Sequence, residues 1–153
     1  APLPDSGLQA SKLSSLSMCL CGSPEYFKKH GRPTCPAELE QHSWVIYKLT
    51  SDIIALNKGS RSYSIKVKGS IRTNNAAART AFIEGGHGLG RIPRYDAWPK
   101  IKAGALEQVL EDYQLSNIDI YGVFPPGSAG SKKLRLLIDF LKNYFNKEVA
   151  MPR

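Results

Sequence analysis

The apolar and polar residues of the chain alternate with two different periods, and these periods predict an alternation of strands and helices. Short runs in which apolar residues are continuous or alternate with polar ones predict strands in SMCLCG, WVIYKL, DIIAL, SYSIKVKG, GLGRIP, ALEQVLEDY and NIDIYGVFPP. Helix signals occur in SPEYFKKHG, CPAELEQH, NNAAARTAFIE, DAWPKIKAG and SKKLRLLIDFLKNYFNK. This order of elements predicts an α/β fold.

Three of the helical segments carry a further prediction. In the helix from Asn74 to Glu84 we expect Ala78, Ala81 and Phe82 to share one face. Pro99 is expected to interrupt DAWPKIKAG, because proline removes a backbone donor. The last helix has an apolar stripe at i, i+3, i+4 and i+7 spacing, formed by Leu134, Leu137, Ile138, Leu141, Tyr144 and Phe145.

The segment EGGHGLGRIP, residues 84–93, has the composition of a phosphate-binding loop. Such a loop follows a strand and opens a helix, whereas this one follows a helix. We therefore predict that Gly85 or Gly86 ends the helix in the left-handed conformation. The helix end that can meet an anion is the other one, where the donors are Arg72, Thr73, Asn74 and Asn75. An ordinary helix cap is the alternative there.

The cysteines and histidines could be interpreted as a zinc-binding site, but we do not favour this interpretation. Its ligands would be Cys19, Cys21, His30 and Cys35. Structural zinc sites prefer two to four residues between ligands, and Cys19 and Cys21 lie in an apolar run typical of a buried strand. We predict core cysteines, no metal and no cofactor. Three cysteines are also too few for a disulfide framework, which favours a reducing, cytoplasmic setting.

The chain is basic, with a formal charge of +8 and a pI near 9.5, which raises nucleic acid as a partner. Its densest basic run extends from Lys58 to Arg72 and has no acidic residue. Within that run the apolar residues Tyr63, Ile65 and Val67 alternate with Ser64, Lys66 and Lys68. This alternation predicts a half-buried strand with a solvated basic face, and direct contact with nucleic acid is the alternative.

Catalytic motifs are absent from the sequence, since it contains no HExxH, GxSxG or Walker pattern. His87 lies in the glycine segment without a nucleophile or carboxylate at a recognisable spacing. Four acidic residues lie in the C-terminal third of the chain: Glu107, Glu111, Asp112 and Asp119. We interpret them as solvent-exposed residues rather than as a catalytic pair. We predict no catalytic residue, and a small enzyme using His87 is a distant alternative.

No apolar run approaches the roughly 20 residues that span a bilayer, and no secretory leader is recognised at the N-terminus. We therefore expect no membrane association. The chain lacks an initiator Met, which indicates a processed chain or a fragment.

Several phrases, read in order, resemble one family. They are PLPDSGLQASKL, CGSPEYFKKHGRPTCPAELEQHSWVIY, VKGSIRTNNAAARTAFIEGGHGLGRIPRY, GALEQVLEDY and IYGVFPPGSAGSKKLRLLIDFLKNYF. Together they resemble the effector-binding domain of LysR-type transcriptional regulators, from residue 1 to about Phe145. The resemblance implies a type 2 periplasmic-binding-protein-like fold of two lobes, with a small-molecule effector held in the cleft between them.

The resemblance also implies a division of the chain and a missing part. Residues 22–106 would form the second lobe, and residues 1–21 and 107–153 would form an incomplete first lobe. The family's DNA-binding helix-turn-helix domain and the start of its first lobe have no counterpart here. Apolar surface at Leu137, Leu141 and Phe145 would then lack its usual cover, so we expect homo-oligomers.

The ligand-binding positions are carried over from the resemblance one at a time. They are the turn at Pro4, Asp5 and Ser6, the strand end at Leu49 and Thr50, and the helix start at Thr73 and Asn74. Polar groups at the ends of elements are typical of ligand sites in such sheets.

The function expected from this resemblance is regulatory. The chain would bind an unidentified small-molecule effector and thereby modulate DNA binding by the helix-turn-helix domain of the full-length regulator. DNA would be contacted only through that domain. The alternative is a free-standing periplasmic-type solute-binding module.

Overall fold

The computed structural model describes residues 7–148, which form two compact units. Within the described residues, the smaller unit comprises residues 7–16 and 117–148, and the larger comprises Ser17–Ser116. The elements in chain order are β1 Gln9–Leu16, β2 Met18–Gly22, α1 Pro24–His30, a 3-10 helix Pro36–Gln41, β3 Ser43–Tyr47, β4 Ile53–Lys58, β5 Arg61–Lys66, β6 Lys68–Thr73, α2 Ala76–Glu84, β7 Gly90–Pro93, α3 Arg94–Lys102, β8 Glu107–Val109, β9 Gln114–Leu115, β10 Ile118–Phe124, a 3-10 helix Ser128–Gly130 and α4 Lys132–Glu148.

The smaller unit is an antiparallel ribbon with one helix. Strands β1 and β10 pair from Gln9↔Phe124 to Leu16↔Ile118, and α4 packs against β1. Half of the apolar face of α4 is covered, since Leu134, Ile138, Leu141 and Phe145 are partly buried. The rest of that face is solvent-exposed, and it comprises Leu136, Leu137, Phe140 and Tyr144 at 62%, 53%, 64% and 51% exposure. The expected stripe is therefore covered along only one side.

The larger unit is built around β2, which is buried along its whole length. It pairs antiparallel with β7 on one side and with β8 on the other. This pairing places β2 and β8 in the larger unit. The lobe bounds expected from the resemblance, 22–106 with 1–21 and 107–153, stay a prediction. Around this sheet, β3 pairs in parallel with β6, and β4 pairs with β5 and β9.

Two hydrophobic clusters stabilise the larger unit. The first is lined by Leu20, Trp44 and Leu56 among others, and the second contains Cys19, Cys21 and their neighbours from β3, α2, β7 and α3. Successive side chains of a strand point to opposite faces, so β2 contributes Leu20 to one cluster and both cysteines to the other. The prediction of core cysteines agrees with the complete burial of Cys19 and Cys21, whereas Cys35 is only partly buried.

Two local predictions need correction, and a third is refined. Ala78, Ala81 and Phe82 share a face of α2 by their spacing, but the helix buries Arg79, Thr80 and Ile83, and Phe82 is 40% exposed. Helix α3 runs through Pro99 without a break, and it packs on the second cluster through Ala97 and Ile101 on either side of the proline. The expected single strand SYSIKVKG is two strands, with Val67 between β5 and β6.

The glycine segment ends α2, as its position after the helix predicts. Gly85 is the C-cap residue, and Gly86 follows it with φ of +78°. Gly88 and Gly90 allow neighbouring segments to pack closely against the backbone. A Cβ at Gly88, where φ is +148°, would lie 2.5 Å from the Ser43 carbonyl oxygen, and one at Gly90 would overlap the Ile83 side chain.

Substitution of Gly88 by alanine is expected to destabilise the larger unit by about 2–4 kcal/mol, because both the backbone conformation and the Ser43 carbonyl oppose a Cβ. Urea unfolding followed by the fluorescence of Trp44 and Trp98 measures this. Gly130→Ala is the matched control, since nothing lies within 4 Å of its added Cβ. Equal midpoints for the two variants would contradict this packing role.

Candidate functional site

The parallel pairing of β3 and β6 brings the ends of two strands to one edge of the larger unit. Tyr47 is paired with Thr73, and the Lys48 N–H donates to the Thr73 carbonyl oxygen (2.8 Å). Both strands therefore end at the same level, with a turn following β3 and helix α2 following β6. We call residues 47–52 and 72–75 the polar edge.

The turn after β3 is held by its own backbone. Thr50 donates to the Tyr47 carbonyl oxygen from its N–H and from its hydroxyl, at 3.0 Å in each case. Leu49, between them, is 71% exposed. An exposed leucine and a fixed hydroxyl thus lie at this end of β3, where a ligand can meet both apolar and polar groups.

The start of α2 forms the other half of the polar edge. The helix is capped by Asn75, whose side-chain oxygen accepts from the Ala78 N–H (3.0 Å), and the Thr73 hydroxyl accepts from the Asn75 N–H (3.0 Å). Asn74 is exposed, and no side-chain hydrogen bond joins it to another residue within 7–148. The Asn75 side chain therefore caps the helix, whereas the Asn74 side chain could contact a ligand.

Two arginines of this region have acidic partners. Arg72 forms a forked pair with Asp52, with its Nη2 3.1 and 3.0 Å from the two carboxylate oxygens. Arg79 projects from α2 and is only 3% exposed. Its guanidinium lies over the Tyr47 ring at 5.2 Å and reaches Asp96 at 3.5 Å, while its Nε has no partner among the described residues.

A third arginine, Arg91 on β7, differs from these. It is partly buried, and no ion pair within residues 7–148 includes it. Burial and the nearby positive charge of Arg79 lower the pKa of Arg91. Together with Tyr47, Thr50 and Asp52 it lines a cavity of about 20 Å³, room for one water-sized group.

The family comparison decides the class of protein. The model of the LysR substrate binding domain matches residues 1–146. The chain belongs to this family.

Relatives of this LysR domain are named as transcriptional regulators. The chain is 29% identical over 146 residues to the HTH-type transcriptional activator TtdR of Escherichia coli K12, and the match covers 94% of the chain and 47% of that protein. It is 26% identical over 145 residues to the HTH-type transcriptional activator AaeR of the same strain, with the same coverage. The LysR domain therefore spans about half the length of these relatives.

Comparison with solved structures gives the same family. The full-length Vibrio cholerae virulence activator AphB, 27% identical, superimposes with a TM-score of 0.75 over 93% of this chain and 49% of that one. The regulatory domain of CrgA from Neisseria meningitidis, 21% identical, gives 0.68 over 94% of this chain and 72% of that one. The LysR domain thus has the type 2 periplasmic-binding-protein-like fold, as expected.

The seven ligand-binding positions expected from the sequence divide into two groups. Leu49, Thr50, Thr73 and Asn74 lie together at the polar edge. Pro4, Asp5 and Ser6 lie outside the described residues. Ligand binding by any of the seven stays a prediction. Neither Arg79 nor Arg91 could be recognised from the sequence, because an arginine within AAART or GRIP is normally expected to be solvent-exposed.

The cysteines and histidines considered in the sequence make contacts that are typical of structural residues. The thiols of Cys19 and Cys21 lie 3.5 Å apart in the core, His30 stacks on Tyr26, and the Tyr26 hydroxyl contacts Nδ1 of His42 (3.1 Å). Over residues 7–148, no cluster of three His, Cys, Asp or Glu side chains suits a metal. In the same range no helix is both long and apolar enough to cross a bilayer.

The two asparagines at the start of α2 are expected to respond differently to replacement by alanine. Asn75→Ala removes the cap and should lower the free energy of unfolding by about 1 kcal/mol, whereas Asn74→Ala should change it by less than about 0.5 kcal/mol. Urea unfolding of both variants of the LysR domain measures this. Equal losses would show that Asn74 also supports the helix.

Proposed function

We propose that the chain is the effector-sensing part of a LysR-type transcriptional regulator. A small molecule would bind to it and alter DNA binding by a helix-turn-helix domain of the full-length protein. The match of the family model to residues 1–146 carries this proposal, and relatives named HTH-type transcriptional activators support it. Such a regulator works on chromosomal DNA, so we place it in the cytoplasm.

Within the described residues, we place the effector at the polar edge. The Thr50 hydroxyl and the Asn74 amide supply polar groups, and Leu49 supplies an exposed apolar one. The first turn of α2 adds a partial positive charge. The hydroxyl of Thr73 is already engaged with the Asn75 N–H, so Thr73 contributes by holding the helix start in place.

Effector binding changes DNA binding only if it favours one arrangement of the regulator over another. The proposed mechanism therefore needs an effector with different affinities for the two arrangements. A free-standing solute-binding module needs no such difference. The regulator names of the relatives favour the first reading, and the reading frame upstream of residue 1 separates the two: a helix-turn-helix domain supports a regulator, and a secretory leader supports a transport module.

Effector binding at the polar edge is tested with a thermal-shift screen of small organic acids and aromatic compounds on the chain. A compound that raises the melting temperature of the wild type by about 2 °C or more should lose that effect in Thr50→Val and in Asn74→Ala. Asn143→Ala, an exposed asparagine on α4, is the matched control and should respond like the wild type. A compound whose effect survives both edge variants would contradict this location.

We further propose that the exposed apolar face of α4 pairs with a second copy of the chain, because a two-fold axis lets one apolar patch cover its own copy. Phe140→Glu should shift the chain to a smaller mass in light scattering at equal concentration, since Phe140 is 64% exposed at the centre of that face. Asn146→Glu, exposed on the same helix but away from that face, is the control for the added negative charge. A monomeric wild-type chain would contradict the pairing.

A further inference from the structure

The Tyr26 hydroxyl lies where three segments of the larger unit meet. Tyr26 belongs to α1 and is only 2% exposed. Its oxygen is 3.0 Å from the backbone nitrogen of Ser43, the first residue of β3. The same oxygen is 3.1 Å from Nδ1 of His42, which follows the 3-10 helix Pro36–Gln41 and is partly buried. The hydroxyl therefore joins α1 to the two residues at which β3 begins.

The direction of these two hydrogen bonds follows from the groups themselves. A backbone N–H only donates, so the Ser43 N–H donates to the Tyr26 oxygen. The hydroxyl also has a proton of its own, which needs an acceptor because the tyrosine is buried. Nδ1 of His42 is that acceptor. Nδ1 must therefore carry a lone pair, and the proton of the neutral imidazole must be on Nε2.

Protonation of His42 is incompatible with this arrangement. An imidazolium carries a proton on both nitrogens, so Nδ1 would no longer accept from Tyr26. The Tyr26 oxygen would then face two donors, and residues 7–148 provide no second acceptor for its own proton. A buried donor without a partner is unfavourable. The hydrogen bonds therefore favour neutral His42.

The charges and the burial around His42 act in the same direction. Burial lowers the pKa of His42 most, and the nearby positive charge of His30 lowers it further, against an opposing effect of the Glu38 carboxylate. The His30 ring stacks on Tyr26, with 4.6 Å between ring centroids. Glu38 accepts hydrogen bonds from the N–H and the hydroxyl of Thr34, so its carboxylate is already engaged.

The segments next to His42 carry further charged or titratable side chains, and these are exposed to solvent. They are Glu40 on the 3-10 helix, Lys66 on β5, Lys68 on β6 and His87 after α2. Water screens exposed charges strongly, so burial, His30 and the Tyr26 hydroxyl dominate the protonation of His42.

Ser43 carries the effect of this contact beyond α1. Its carbonyl oxygen accepts from the Leu89 N–H (2.9 Å), and the Val45 N–H donates to the Leu89 carbonyl oxygen (2.8 Å). The start of β3 is thus held by Tyr26 on one side and by the segment after α2 on the other. Loss of the Tyr26 contact would weaken the junction of these three segments.

We propose that the contact between Tyr26 and His42 is a proton-sensitive device, in which protonation of His42 releases the Tyr26 hydroxyl and loosens the start of β3. This goes beyond the proposed function and depends on neither an effector nor DNA.

The pH range in which the device acts follows from the direction of the pKa shift. A histidine whose pKa is lower in the folded than in the unfolded chain stabilises the fold fully above the unfolded value, which is about 6.5. That stabilisation is lost as the pH falls below this value towards the folded pKa. The device therefore responds to acid and is silent at neutral and alkaline pH.

The first test is an NMR titration of the imidazole signals in the ¹⁵N- and ¹³C-labelled 153-residue chain. The chain has three histidines, so replacing them one at a time assigns the signals. The ¹⁵N shifts of neutral His42 should show its proton on Nε2. Tyr26→Phe should raise the pKa of His42, because it removes the hydroxyl that favours the neutral ring. Tyr95→Phe, which removes a hydroxyl from an exposed tyrosine on α3, is the matched control and should leave that pKa unchanged.

The second test measures hydrogen exchange of the Ser43 amide, corrected for the intrinsic effect of pH on exchange. Its protection should fall about tenfold or more in the wild type between about pH 7.5 and about pH 5. His42→Gln should keep its protection over the same range, because the glutamine amide offers an acceptor oxygen that does not titrate.

Three results would overturn the proposal. They are a proton on Nδ1 of neutral His42, a pKa of His42 at or above the ordinary value of about 6.5, and an equal loss of Ser43 protection in the wild type and in His42→Gln. The last comparison needs only a variant that keeps Tyr26, so it decides the matter even if Tyr26→Phe does not fold.

Discussion

The parallel pairing of β3 with β6 is the constraint on which the candidate site depends. The hydrogen bond from the Lys48 N–H to the Thr73 carbonyl oxygen fixes the last register position. Because the strands run in parallel, the turn after one and the helix after the other emerge at the same edge. A slip of one residue would turn the side chains of β6 to the opposite face and separate the polar groups of the two segments.

Close packing around the glycine segment holds α2 and β7 where the edge needs them. Ser43, at the start of β3, lies against Gly88, and Ile83 of α2 lies against Gly90, contacts that a Cβ at either glycine would prevent. Helix α2 contributes Arg79 and β7 contributes Arg91, so this packing also sets where the two charges lie. The segment that resembles a phosphate-binding loop thus acts indirectly, through the elements that it joins.

The sequence predicted the features that depend on local rules. A glycine after a helical pattern predicts a helix end, and the structure agrees. The alternation of Tyr63 and Ile65 with exposed residues is that of β5, but the strand ends before Val67. The buried arginine and the helix through Pro99 could not be predicted in this way, because packing against distant residues decides them. Arg79, for example, contacts Tyr47 and Asp96, which come from other elements.

The most direct measurement is a map of amide chemical-shift changes over the ¹⁵N-labelled chain when a stabilising compound from the thermal-shift screen is added. The account predicts that the largest changes fall at residues 48–50 and 73–75. The larger unit also has a groove of about 380 Å³ lined by Arg32, Lys58, Glu111 and Tyr113 among others. Changes centred on that groove, with none at the polar edge, would contradict the account.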